Sequence, residues 1–165
     1  MKSILRSGFM LLLLMIAVMR ITPAFAADQV VDKETRCAVC GMFVAKYPNW
    51  LATLTMSDGE VRHFDGVKDM MVFYFAPQKY GAKPGGTIGD IKVNDYYTLT
   101  PIDARKAFYV TGSDVKGPMG HEFIPFATKE AAESFSKDHK GKSILSFESI
   151  TAAEVEVMRV GQRMR

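Results

Sequence analysis

Two cysteines and a methionine lie close together in the run Cys37-Ala38-Val39-Cys40-Gly41-Met42. Two thiols three residues apart can converge on one metal ion. Gly41 has no side chain, so the backbone can fold back there and bring Met42 to the same point. Thiolate and thioether sulfurs are soft donors, which favour Cu(I) over Zn, Mg or Ca. The motif therefore predicts a Cu(I) site, and its metal uptake should weaken at low pH because a thiol must lose its proton to bind.

Other chemistries for the cysteine pair depend on what the surrounding sequence supplies. A structural zinc site needs four ligands, but the sequence holds neither a second C-x-x-C nor an H-x-x-x-H pair. A c-type haem needs histidine directly after the second cysteine, where Gly41 stands. A thioredoxin-like enzyme places C-x-x-C between a strand and a helix, whereas this motif precedes the first predicted hairpin. A bare C-x-x-C can still close as a disulfide, so a redox pair stays open as an alternative.

A second group of candidate ligands lies in Gly117-Pro118-Met119-Gly120-His121. The glycines leave Met119 free to reach a metal or a partner, although a loop methionine can also fold down over the core. His121 is a candidate third or fourth ligand, and the alternative for it is a solvent-exposed histidine at the start of a strand. Four other methionines lie in predicted regular elements and are interpreted as core residues: Met56, Met70, Met71 and Met158.

No catalytic set accompanies these residues in the sequence. Neither a Ser-His-Asp spacing, nor a phosphate-binding loop, nor a paired-carboxylate motif stands out. Asp65 and Asp69 flank the predicted start of a helix and are interpreted as capping residues. We therefore expect a protein that is not an enzyme. The alternative from another class is a thiol-disulfide oxidoreductase that uses Cys37 and Cys40.

The elements that must position the motifs begin with a hairpin. Alternating apolar residues predict strands over 50–56 and 60–64. A helical pattern then begins at Asp65-Gly66 and stops at Pro77, because proline cannot continue a helix. A glycine-rich loop leads to a third predicted strand over 91–98.

The second half of the chain repeats this order. Strands are predicted over 107–111, 121–126 and 143–147, with a helix after the second strand that Thr128 caps. A capping box of Thr151 and Glu154 indicates a short terminal helix. Two β-β-α-β units in tandem with antiparallel hairpins, about 50–98 and 105–148, make an α+β fold.

The first 26 residues have the layout of a Sec signal peptide. Lys2 and Arg6 give a basic start, an apolar run covers 8–19, and Ala24-Phe25-Ala26 forms a small-residue cleavage site. A membrane-spanning helix needs roughly 20 apolar residues, and this run is shorter. We therefore expect cleavage and secretion to the periplasm.

The predicted mature chain consists of a short polar tether over 27–36 and one domain over 37–165. It carries 18 basic and 18 acidic residues, because three of the 21 basic residues belong to the predicted signal. A neutral domain gives no reason to expect nucleic acid or an anionic membrane as a partner. We expect a monomer that does not insert stably into a membrane.

Three groups of residues together resemble the NosL family of nitrous oxide reductase accessory proteins. The groups occur in the family's order, and the similarity runs over about 37–150. They are Cys40-Gly41-Met42, Phe64-Asp65-Gly66-Val67-Lys68-Asp69-Met70-Met71, and Gly117-Pro118-Met119-Gly120 with Ile124-Pro125-Phe126.

The resemblance implies a periplasmic Cu(I) chaperone that supports assembly of the copper–sulfide centre of nitrous oxide reductase. It also implies that the protein acts together with a membrane ABC-type transporter and that transporter's periplasmic partner. As ligands it implies Cys40 and Met42, with Met119 as a metal or transfer residue, and Cys37 matches the two-cysteine version of the motif. It also implies a pair of β-β-α-β units similar to organomercurial lyase.

Two features depart from the family pattern. Many relatives are lipoproteins, whereas no cysteine lies near the predicted cleavage site, so we expect a chain without a lipid anchor. Some relatives have histidine before the proline that follows the motif, where this chain has Tyr47, so Cys37, Met119 or His121 is expected to complete the ligand shell. A chaperone or scavenger for another copper enzyme stays an alternative.

Overall fold

A computed structural model describes residues 31–163, with side chains described as far as residue 160; the predicted signal sequence lies outside this range. Over 31–163 the chain forms two antiparallel sheets and three α-helices. Short 3-10 helices connect them at Val44–Lys46, Pro48–Trp50, Pro77–Tyr80, Ala104–Lys106 and Phe147–Ser149. No helix in the described part combines the length and apolar character needed to cross a membrane.

The first sheet is built around a central strand. β1 (Ala52–Met56) and β2 (Val61–Phe64) form a hairpin, which α1 (Val67–Phe75) separates from β3 (Ile88–Asn94) and β4 (Pro101–Asp103). The strand order is β2-β1-β3-β4, and every neighbouring pair is antiparallel. Because β1 lies between two partners, four of its five residues are buried.

The second sheet repeats the arrangement of the first three strands. It contains β5 (Phe108–Thr111), β6 (Ile124–Phe126) and β7 (Ser143–Ser146) in the order β6-β5-β7, with α2 (Lys129–Asp138) between β6 and β7. In both sheets the first strand is central, and the second and third strands flank it. The predicted α+β fold of tandem β-β-α-β units is therefore confirmed. The chain then continues into α3 (Ala152–Arg163).

The end of β3 differs from the sequence expectation, which extended this strand to residue 98. The Asp95 carboxylate accepts hydrogen bonds from the backbone N–H groups of Tyr97 and Thr98 at 3.0 and 2.8 Å, which closes a turn. Its other oxygen accepts from the backbone N–H of Ala127 at 2.7 Å, next to the end of β6. The chain reverses at this turn and returns as β4, a strand that the sequence did not predict.

The predicted starts of the last two helices are confirmed. The Thr128 hydroxyl accepts from the Ala131 N–H at 3.2 Å, which satisfies one of the free donors in the first turn of α2. Before α3, the Glu154 carboxylate accepts from the Thr151 N–H at 2.9 Å, and the Thr151 hydroxyl accepts from the Glu154 N–H at 3.3 Å. This reciprocal pair is a capping box.

Helix α1 lies inside the protein rather than on its surface. All seven residues over 67–73 are buried, and the helix packs against β1, β2 and α3. Met56, Met70 and Met71 are buried and Met158 packs against the same core, as predicted. Because α1 is enclosed on every side, polar side chains in its first turns are held in fixed positions.

Candidate metal site

The cysteine motif forms a closed loop before the first 3-10 helix. The Cys37 N–H donates to the Met42 carbonyl at 2.8 Å, and the Gly41 N–H donates to the Cys37 carbonyl at 3.0 Å. Gly41 has φ of +77°, in the left-handed region that glycine adopts most readily. The loop is fixed from outside by Arg36, whose guanidinium donates to the Gly41 carbonyl at 2.9 Å and lies over the Phe43 ring.

Both thiols of this loop face the start of α1. The Cys37 Sγ lies 3.6 Å from Asp69 Oδ2, and the Cys40 Sγ lies 3.2 Å from Asp65 Oδ1. Among the described residues, one ligand atom from each of these four side chains lies within 4.8 Å of the other three. Cys37 is 3% exposed and Cys40 is half-buried, so the cluster opens to solvent on the Cys40 side.

The expectation that Asp65 and Asp69 cap the helix is wrong. Gly66 occupies the N-cap position of α1 and makes no side-chain capping hydrogen bond there. Both carboxylates instead point at the sulfur atoms, and Asp65 Oδ2 is buried without a hydrogen-bond partner. A spacing of four residues is the signal that could have indicated this, because it places both side chains on one side of a helix start.

The electrostatics of the cluster keep the Cys40 thiol protonated when no cation is present. A hydrogen bond with Cys37, together with burial, raises the pKa of Cys40 well above its ordinary value, against a smaller opposing hydrogen bond from the Met42 backbone. Burial also raises the pKa of Asp69. A bound cation would stabilise the ionised forms of these groups, so metal binding and proton release are coupled at this site.

A buried cation lies beside the cluster. Lys68 is 1% exposed, and burial lowers its pKa against the opposing attraction of Glu122, Asp69 and Asp65. Its ammonium donates to the carbonyl oxygens of Met119 and His121 at 2.6 and 3.0 Å. The start of α1 is thereby joined to the glycine-rich connection between β5 and β6.

Burial likewise raises the pKa of Glu122 to about 8, opposed by the charge of Lys68. The Glu122 carboxylate accepts from the backbone N–H groups of Lys68 and Phe123. No local pattern in the sequence indicates these roles for Lys68 and Glu122, because the contacts that join them span more than fifty positions along the chain.

The remaining predicted ligands occupy distinct places. Met42 is half-buried in the loop, two residues after Cys40. Met119 is 37% exposed at the tip of a tight turn that is closed by paired hydrogen bonds between Gly117 and Gly120. The His121 ring contacts the Lys116 ammonium at 2.9 and 3.1 Å, and His121 is not a member of the four-residue group.

The donor set determines which ligands the site suits. Thiolates bind soft metal ions, and two of them at this separation can share one ion. The carboxylates are harder donors, and they also neutralise positive charge and accept thiol protons. An α+β scaffold with two thiols and two carboxylates gathered at one point defines a candidate binding protein for a thiophilic metal ion.

Comparison with known proteins specifies this class further. The NosL family model matches residues 28–155, most of the chain, and the chain therefore belongs to the NosL family. A relative from Stutzerimonas stutzeri, described as "Copper-binding lipoprotein NosL", is 29% identical over 124 residues, which are 71% of this chain. The matched part spans 62% of the length of that relative.

A solved structure of a family member resembles the fold. The crystal structure of the copper chaperone NosL from Shewanella denitrificans matches with a TM-score of 0.64 at 27% identity, covering 76% of this chain and 96% of that one. The solution structure of the apo-NosL protein from Achromobacter cycloclastes has a TM-score of 0.47 at 28% identity, covering 63% and 87%. The predicted resemblance to the NosL family is thus confirmed.

Proposed function

We propose that this chain binds one Cu(I) ion as cargo through the thiolates of Cys37 and Cys40 and transfers it to a copper enzyme. The observation that carries the proposal is the convergence of both sulfurs at one partly open point beside α1. Family membership supports copper as the metal, since the relatives described above are named for copper. Met42 lies two residues after Cys40 and is the nearest thioether in sequence, so we include it in the ligand shell.

The unequal burial of the two cysteines suggests how the ion leaves. Cys37 is almost fully enclosed, whereas Cys40 is half-buried and borders solvent. A ligand of the acceptor can therefore add on the Cys40 side, after which Cys40 leaves and Cys37 follows. Met119, which is exposed on the turn that Lys68 contacts, is proposed to bind the ion on this side, and His121 after it is proposed to take part in the transfer step.

The supporting experiment is a Cu(I) titration of the reduced protein against a chelator of known affinity. We expect one Cu(I) per chain, and Cys40→Ser should abolish stoichiometric binding. Asp65→Asn tests whether the carboxylates beside the thiols contribute to Cu(I) binding. Asp90→Asn is a matched control because it makes the same change of charge at an exposed position on β3. Full Cu(I) retention by Cys40→Ser would refute the site.

For the client we propose nitrous oxide reductase, together with its ABC-type transporter and periplasmic assembly partner. The family resemblance supports this choice, and residues 1–26 support a periplasmic location because they have the pattern of a secretion signal. Metal transfer from the Cu(I)-loaded chain to purified apo nitrous oxide reductase tests it. If the copper stays on the chain while a different apo copper enzyme takes it up, the chaperone role survives with another client.

A thiol-disulfide oxidoreductase is disfavoured by the burial of Cys37. The first cysteine of a C-x-x-C pair is the attacking thiol, and it must be partly exposed, often at the start of a helix, to reach a substrate disulfide. Here Cys37 is 3% exposed, and the motif lies in a loop before a 3-10 helix. We therefore expect no turnover in an insulin reduction assay, and measurable turnover would favour the enzyme.

A further inference from the structure

The ammonium of Lys68 is the strongest feature that copper binding by the thiols does not explain. It is buried in the first turn of α1 and makes its hydrogen bonds to the backbone of residues 119 and 121, across more than fifty positions in sequence. A cation at this position is unfavourable on two counts, because it is removed from water and lies near the positive end of the helix dipole.

Glu122 binds the same turn of α1 from the other side. Its carboxylate is 4% exposed and accepts from the backbone N–H of Lys68, while the Lys68 ammonium reaches past it to the loop. Gly66 leaves the room for this carboxylate, since a Cβ at that position would lie 2.3 Å from Glu122 Oε2. Lys68 and Glu122 thus fasten the Met119 turn to the helix that carries Asp65 and Asp69.

Charges face Lys68 from every element packed around it. Asp65 and Asp69 at the start of α1 and Glu122 before β6 attract the Lys68 ammonium. Arg159 of α3 repels it. An apolar residue of similar length would fill the space without this desolvation cost. The hydrogen bonds to the Met119 turn are the specific interactions that such a residue could not make.

We propose that Lys68, with Glu122, is a positioning residue that holds the Met119 turn beside the thiol cluster, so that the Met119 sulfur can reach the bound ion. The inference rests on the proposed Cu(I) site and names a further part of it. Lys68 itself is not a ligand in this arrangement. Its removal should therefore have the same effect on the ion as removal of the Met119 thioether.

The first test compares Lys68→Leu, Met119→Ala and the double variant with wild type. Competition with a chelator gives the Cu(I) affinity, and X-ray absorption counts the sulfur neighbours. We expect each single variant to bind Cu(I) about tenfold more weakly and to show one sulfur neighbour fewer. Tenfold is the lower end of the roughly 10–100-fold effect of residues that orient metal ligands. The double variant should bind no more weakly than Met119→Ala alone. Lys83→Leu, at an exposed lysine, is the matched control.

A second measurement separates positioning from a general loss of structure. With methionine labelled at its methyl group with ¹³C, the Met119 signal should shift when Cu(I) is added to wild type. In Lys68→Leu the protein should still bind Cu(I) through its thiols, but the Met119 signal should stay at its metal-free position. If Lys68→Leu does not fold, Glu122→Gln serves in its place above pH 8, because there it keeps the side-chain shape and removes the carboxylate charge that attracts Lys68.

Several results would overturn the inference while leaving the thiol site intact. These are a wild-type sulfur count in Lys68→Leu, a double variant whose loss is the product of the two single losses, or a Met119→Ala variant that binds like wild type. Failure of the wild-type chain to bind Cu(I) would instead overturn the proposed function itself.

Discussion

Gly66→Ala should destabilise the protein, although the backbone at this position can accommodate alanine. The φ angle of Gly66 is 177°, which is extended and open to any residue. At such positions the exchange of glycine for alanine usually stabilises a protein by about 0.4–1 kcal/mol, because it restricts the unfolded chain. Alanine is a poorer N-cap residue than glycine, which offsets this gain. The size of the loss, and its recovery when Glu122 is shortened, therefore test whether the space beside Gly66 is filled as the structure shows.

The magnitude follows from the contact with Glu122. An alanine Cβ would lie 2.3 Å from Glu122 Oε2 and 3.1 Å from its carboxyl carbon, about 1 Å closer than van der Waals contact allows. The carboxylate cannot simply swing away, because it is buried and accepts from two backbone N–H groups. Forcing extra volume into a packed site costs about 1–3 kcal/mol, and each lost hydrogen bond to a charged group costs about 1.5–3 kcal/mol. We expect a net loss of roughly 2–4 kcal/mol in the free energy of unfolding.

Urea denaturation measures this change. With an m-value near 2 kcal/mol/M, the midpoint should fall by about 1–2 M. Glu122→Asp shortens the crowding side chain, so the double variant Gly66→Ala/Glu122→Asp should be more stable than the sum of the two single losses implies. A Gly66→Ala protein as stable as wild type, or more stable, would show that Glu122 does not occupy this space.

Three further outcomes are expected. Asp95→Asn should lower the free energy of unfolding by about 2–3 kcal/mol, because an amide cannot accept at both of its ends. Although burial opposes it, hydrogen bonding holds the pKa of Asp95 in the folded protein below its ordinary 3.8. The difference between wild type and variant, measured in urea, should therefore begin to shrink near pH 3.8 and be lost as the pH falls through the lower pKa of the folded state. Thr128→Ala should cost about 1 kcal/mol and Thr128→Ser much less, and equal thermal unfolding of the two would contradict the cap. The apparent Cu(I) affinity in chelator competition should fall as the pH is lowered, by up to about tenfold per unit for each thiol proton displaced from Cys37 or Cys40, and a flat profile would argue against thiolate ligation.

Local signals in the sequence were sufficient for much of the fold. The hairpins, the two helix caps at Thr128 and Thr151, and the doubled β-β-α-β order depend on residues within a few positions of one another. The predicted end of β3 was wrong because the residues after Asn94 have good strand propensity. The structure there is determined by Asp95 and its hydrogen bond to Ala127, 32 positions away. A tertiary hydrogen bond of this kind leaves no local pattern.

The candidate site could likewise be predicted only in part from local signals in the sequence. Cys37, Cys40 and Met42 were identified because their types and spacing carry the chemistry on their own. Asp65 and Asp69 were wrongly predicted to cap the helix, since an aspartate at the start of a helix is most often a cap. The two roles are told apart only by what lies opposite the helix start, and that is a loop about 25 residues earlier in the chain.

The first turn of α1 shows how stability and binding compete for the same residues. Helix α2 begins with a side-chain cap and buries one face, whereas α1 begins without a side-chain cap and is buried over seven consecutive residues. Either acidic residue at the start of α1 could have supplied a cap worth about 1 kcal/mol, yet both face sulfur. The helix is held instead by its apolar contacts and by Glu122, which accepts one of the N–H groups that a cap would have satisfied. The carboxylates therefore remain available to the thiols, and the helix start is kept in place by residues from the second half of the chain.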